Sequence, residues 1–138
     1  MLIIIPCHAE AQVVVKKKST MVELASYRTG IVKLTKHESG RIILSIRSDN
    51  QYDDLYLINL GSSKAEAIKS MESLVELAST IKKDESYEVH GLTKTYNAYK
   101  GLMKGELWLK GEYYAGWGKT GKSELKRILD FIMYDYQE

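Results

Sequence analysis

The chain has 138 residues, 44% of them hydrophobic and 28% charged, with a net charge of +2 and a single cysteine. That length supplies one ordinary core, and the balanced composition excludes a disordered or collagen-like chain. The small net charge does not require a nucleic-acid partner, and a lone cysteine excludes an internal disulfide.

In chain order, Leu2 to Ile5 reads as a short strand closed by Pro6. No Lys or Arg precedes it, so it lacks the charged start and long apolar run of a signal peptide. No stretch approaches the ~18 consecutive apolar residues of a membrane span. With the lone Cys7, these features lead us to expect a cytoplasmic protein with no membrane partner. Val13 to Val15 begins a second strand, ended or edged by Lys16-Lys17-Lys18, since lysines protect exposed strand edges. Met21 to Tyr27 and Ile31 to Lys36 read as two more, with Gly30 near the turn between them. Glu38-Ser39-Gly40 is a turn signal. After it Ile42, Leu44 and Ile46 share one strand face, and Arg41, Ser45 and Arg47 the other. Leu55 to Leu60 is apolar on both faces, as a central strand would be.

Gly61 breaks that strand. Ser63-Lys64-Ala65-Glu66 then fits a capping box, in which serine and glutamate satisfy two orphan backbone donors at a helix start. Ile68, Met71, Leu74, Val75, Ala78 and Ile81 recur at three- and four-residue steps, so one helix over about 63–83 is expected. Lys82 and Lys83 would sit in its last turn, favouring the helix dipole. Tyr87 to Leu92 reads as a strand, 93–104 has no clear period, and Glu106 to Ala115 reads as a strand bent at Gly111. A last helix over about 121–136 carries Leu125, Ile128, Leu129 and Ile132 on one face.

These elements predict an α+β fold: a mainly antiparallel twisted sheet with two amphipathic helices packed on it. A shift of 57 residues places Ile68, Met71, Leu74 and Val75 on Leu125, Ile128, Phe131 and Ile132. Any two amphipathic helices that follow strands show such an echo. A single domain over 1–138 is therefore expected, with a weak duplication of about 30–83 and 86–136 as the alternative. In outline, the strand–Gly–helix pattern resembles compact single-strand nucleic-acid binders of the PC4 and Whirly type. The likeness includes no diagnostic motif.

Gly116-Trp117-Gly118-Lys119-Thr120-Gly121-Lys122-Ser123 matches the P-loop pattern letter for letter. A P-loop opens a parallel sheet whose later strands supply further magnesium and water contacts. Only 15 residues follow Ser123, enough for one helix and no strand. No NTPase activity is expected, and no cofactor. A weaker alternative keeps this loop as a nucleotide or anion contact through Lys119, Lys122 and free helix-start amides.

Cys7, His8, His37 and His90 lack metal-ligand spacing, so no metal site is expected. Asp49, Asp53, Asp54, Glu106 and Glu112 form no catalytic pair by spacing, and no catalytic residue is assigned. The aromatic set says more: 10 Tyr and 2 Trp but 1 Phe. Tyr and Trp concentrate where one end of the ring stays wet, interfaces included. The basic excess lies late, with 8 basic against 3 acidic residues over 91–127. On an extended 106–115 strand, Trp108, Lys110 and Tyr114 would share one face beside Trp117, Lys119 and Lys122. Stacking rings among lysines are the usual recipe for single-strand binding. The expectation is thus a non-enzymatic protein that binds single-stranded DNA or RNA through Trp108, Lys110, Tyr114, Trp117, Lys119 and Lys122. The alternative is a protein-interaction module or inhibitor using the same face, homodimer included. Burial of those rings in a second core would remove both.

Overall fold

The computed structural model describes Val13 and residues 21–138; the strand expected at 2–5, that expected at 13–15 apart from Val13, and Cys7 and His8 lie outside the described residues. The fold is α+β, and among the described residues every strand pair is antiparallel and the strands divide between two sheets of four. The first sheet is a meander of β1 (Met21–Tyr27), β2 (Val32–His37), β3 (Ile42–Ile46) and β4 (Tyr56–Gly61), followed by helix α1 (Lys64–Thr80). The second is a meander of β5 (Ser86–His90), β6 (Thr95–Lys100), β7 (Glu106–Lys110) and β8 (Gly118–Gly121), followed by helix α2 (Lys122–Asp130) and a π turn over Phe131–Asp135. The element order of the second half thus repeats that of the first.

Local chemistry accounts for most boundaries. The β1–β2 turn holds Arg28 and Thr29 at φ 49° and 53° and Gly30 at φ 90°, the left-handed region that a tight reversal requires. At α1, the Glu66 N–H donates to Ser63 Oγ at 3.2 Å. The Glu66 carboxylate accepts from the Ser62 N–H at 2.8 Å, so the box closes one residue earlier than its usual form. The apolar stripe of α1 is where the spacing put it, with Met71, Leu74 and Ala78 buried and Ile68 and Val75 partly buried.

Three expectations need correction. β4 lies last in the order of its sheet. The strand buried on both faces is β3, in which all five residues are buried. Leu57 gives β4 its second apolar face in sequence, but it is only partly buried and Asn59 on the same face is exposed. Lys82 and Lys83 lie past the end of α1, which Ile81 caps in an extended conformation. β7 stops at Lys110, and 111–117 form a loop, so the expected long strand is a short strand and a turn.

The core is shared by both halves. One continuous apolar cluster runs from Val32, Leu34 and Leu44 through Met71 and Leu74 to Leu107, Leu109, Leu125 and Ile128. Burying each such side chain contributes about 1.5–3 kcal/mol before entropy is charged against it. The sheets also meet at two corners, through single bridges at Ser48–Gly118 and Ile58–Gly91. No helix among the described residues is long and apolar enough to cross a membrane.

Candidate functional site

The antiparallel register puts Trp108 of β7 between Tyr99 of β6 and Lys119 of β8. Side chains on one strand alternate between faces. Leu107 and Leu109 therefore point into the core, while Trp108 and Lys110 point away from it. Trp117 enters from the loop before β8 and closes the group. Its ring centre is 5.7 Å from Tyr99, nearly perpendicular, and 5.7 Å from Trp108. All three rings are half-buried. The Lys119 ammonium sits 4.2 Å from the Trp108 ring centre, and Lys110 Nζ lies 5.2 Å from that of Trp117. Cations over indole faces are held by the ring quadrupole. The Trp108 Nε1 atom is buried beside Gly101 and meets no acceptor among the described residues. Trp108 therefore offers a π-face and no exposed donor.

Sequence reasoning missed Tyr99 because 93–104 shows no clear period, and Asn97 and Tyr99 declare their face only once the register with β7 is known. Tyr114 is a correction in the opposite direction. It is 8% exposed and packs on the core side, its ring centre 4.3 Å from Tyr56 and 5.9 Å from Tyr96. Its hydroxyl donates to the Leu55 carbonyl at 3.0 Å. The cause is the turn at Gly111, closed by Tyr114 N–H donating to the Gly111 carbonyl at 3.1 Å. That turn ends the strand alternation, sending Tyr114 inward and leaving Tyr113 95% exposed at φ 70°. Lys122 also leaves the ring face, since it opens α2 at the far end of β8.

The P-loop look-alike has the wrong backbone for a phosphate cradle. Gly118–Gly121 is a strand paired with β7, and the Lys122 N–H donates to the Gly105 carbonyl at 2.8 Å. The amides ahead of it are already occupied by two carboxylates of the 48–53 loop. Asp53 accepts from Ala115 N–H at 2.9 Å and Gly116 N–H at 2.7 Å, and Asp49 accepts from Trp117 N–H at 2.7 Å. The Ser48 hydroxyl, followed by those amides, holds the Asp53 carboxyl below its usual range. The Trp117 amide, with Lys119 at 3.1 Å, does the same for Asp49. A Cβ on Gly116 would overlap Asp49 Oδ1, so the glycine is needed for this close approach rather than for a nucleotide. Neither aspartate's role could be read from sequence, because the contacts span more than sixty residues.

His37 Nδ1 lies 2.9 Å from Ser39 Oγ, and His90 is exposed on β5. Among the described residues no three of His, Cys, Asp and Glu gather where they could hold a metal ion. Comparison with protein families, curated proteins and solved structures returns no match.

Proposed function

We propose that this protein is a non-enzymatic, cytoplasmic binder of single-stranded nucleic acid, and that the solvent side of β6, β7 and β8 is its platform. The observation that carries this reading is the group of Tyr99, Trp108 and Trp117, half-buried on one sheet face with Lys110 and Lys119 on the indoles. A base that stacks on either indole would turn the lysine from the ring, and from its partner Asp49 or the Ala115 carbonyl, toward the adjoining phosphate. Since the Trp108 donor is buried and out of reach of a base, stacking should be tolerant of sequence.

Titrating an oligothymidylate should quench the tryptophan fluorescence, and the affinity should fall steeply as salt rises. Trp108→Ala should weaken binding by about 1–3 kcal/mol, the usual worth of one stacked base. Absence of quenching at low salt would refute the platform.

A protein partner, a second copy of this chain included, is favoured by one further observation. Leu102 and Met103 are 84% and 70% exposed in the turn that begins at Gly101, against which Trp108 packs. Apolar residues beside half-buried tryptophans suit an interface anchor. In that case sedimentation or pull-down should show a complex that Trp108→Ala abolishes and that salt barely weakens.

A further inference from the structure

Beyond the aromatic platform, an open cleft of about 680 Å³ lies where the β6–β7 turn approaches β8 and the start of α2. Its cationic lining is Arg28, Lys104, Lys119, Lys122 and Arg127, and its carboxylates are Glu106 and Glu124. Both carboxylates are engaged within the fold. Arg28 donates to the two oxygens of Glu124 at 2.7 and 2.8 Å, and the Thr120 hydroxyl donates to Glu124 at 2.9 Å. Glu106 accepts the Met103 N–H at 2.8 Å. Lys119 is paired with Asp49. Lys104, Lys122 and Arg127 make no ion pair among the described residues, and all three are exposed. Glu106 is held by an amide alone and keeps its charge, so three unpaired cations face one unpaired carboxylate, and this positive surplus raises the local concentration of anions. The size is ordinary for a small-molecule site. The start of α2 has no side-chain cap at Gly121 and adds a smaller contribution of the same sign through the amides after Lys122, whose own N–H is held by the Gly105 carbonyl.

The cleft adjoins the ring platform. Lys119 lines it and also covers Trp108. Glu106, on its wall, is two residues from Trp108 on the same face of β7, about 7 Å along the strand. We infer that the cleft is a phosphate-binding site, and that the phosphate it takes belongs to the strand whose bases lie on Tyr99, Trp108 and Trp117. The source of the phosphate rests on the single-strand reading; the site itself does not.

The test compares the wild type with a Lys104→Gln/Lys122→Gln variant in two titrations, after thermal unfolding shows that both fold equally. In the first, an oligothymidylate is followed by tryptophan quenching. The variant should bind about tenfold more weakly at low salt, with a log–log salt slope shallower by about 0.7 for each phosphate that is no longer neutralised. The quenching at saturation should be unchanged, because stacking is untouched. In the second, inorganic tripolyphosphate should shift the amide resonances of Lys122 and Ser123 in the wild type and not in the variant. Normal oligonucleotide binding by the variant, with unchanged slope, overturns the cleft and leaves the platform standing. A tripolyphosphate response without any oligonucleotide binding supports the cleft as a site for free phosphate and overturns the single-strand source. Failure of both titrations in the wild type overturns cleft and platform together.

Discussion

Tyr56, Tyr96 and Tyr114 pack ring against ring near one sheet corner, beside the loop amides held by Asp49 and Asp53. Tyr56 is fully buried, and its hydroxyl donates to the Gly116 carbonyl at 2.8 Å while accepting the Gly111 N–H at 3.2 Å. Tyr56→Phe would strand both backbone groups, a cost of about 1–3 kcal/mol measurable by urea unfolding. Burial pushes the Tyr56 phenol up to about 12 and raises that of Tyr114 as well. A raised phenol stabilises the folded protein below its unfolded value of about 10 and ceases to do so as pH climbs through the folded one. Alkaline unfolding should therefore set in across about pH 10–12, and Tyr56→Phe should blunt it. Asp49 and Asp53 act in the other direction. Their depressed values stabilise the fold above about pH 4, and that stabilisation disappears as pH falls through the folded values. Acid should release the 115–117 loop first, seen as a change in Trp117 emission before the far-ultraviolet circular dichroism collapses. Gly116→Ala tests the same contact sterically. A methyl there meets Ser48 Oγ at 2.6 Å and the Asn50 amide at 2.7 Å, so a destabilisation of about 1–3 kcal/mol is expected.

At the scale of elements, the sequence is legible where structure depends on near neighbours. The helix α1 is legible because its stripe repeats every three to four residues and its cap lies within four. Ser63→Ala should cost about 0.5–2 kcal/mol in thermal or urea unfolding, and little cost would mean that the first turn is held by packing alone. β7 is legible in Leu107 to Lys110 and illegible beyond. Strand alternation assigns faces only while the backbone stays extended, and the turn at Gly111 reverses the phase, exchanging the fates of Tyr113 and Tyr114. β4 misleads for a related reason: apolar residues on both faces report partial cover and not a place in the hydrogen-bond order.

At the scale of the molecule, the two halves are joined by more than their linker. The core cluster crosses between them, and Arg28 in the β1–β2 turn holds Glu124 of α2 and the Lys119 carbonyl, the latter at 2.6 Å. The Lys64 ammonium at the start of α1 donates to the Tyr136 carbonyl at 3.0 Å. A core shared in this way should unfold as one unit. Urea curves from tryptophan fluorescence, whose probes lie only in the second half, should coincide with those from circular dichroism, which reports on both. A fluorescence midpoint well below the dichroism midpoint would mean that the halves unfold separately.

The sequence by itself determined the α+β class, the two helices and their buried stripes, and the pairing of Trp108 with Lys110 on one strand face. All of these follow from backbone periodicity and contacts a few residues apart. Only the tertiary structure decided that the strands form two sheets, that Tyr114 belongs to the core and Tyr99 to the platform, and that Asp49 and Asp53 fill the amides of the Gly116 loop. Those outcomes rest on register and on contacts between distant residues, which depend on how the whole chain closes.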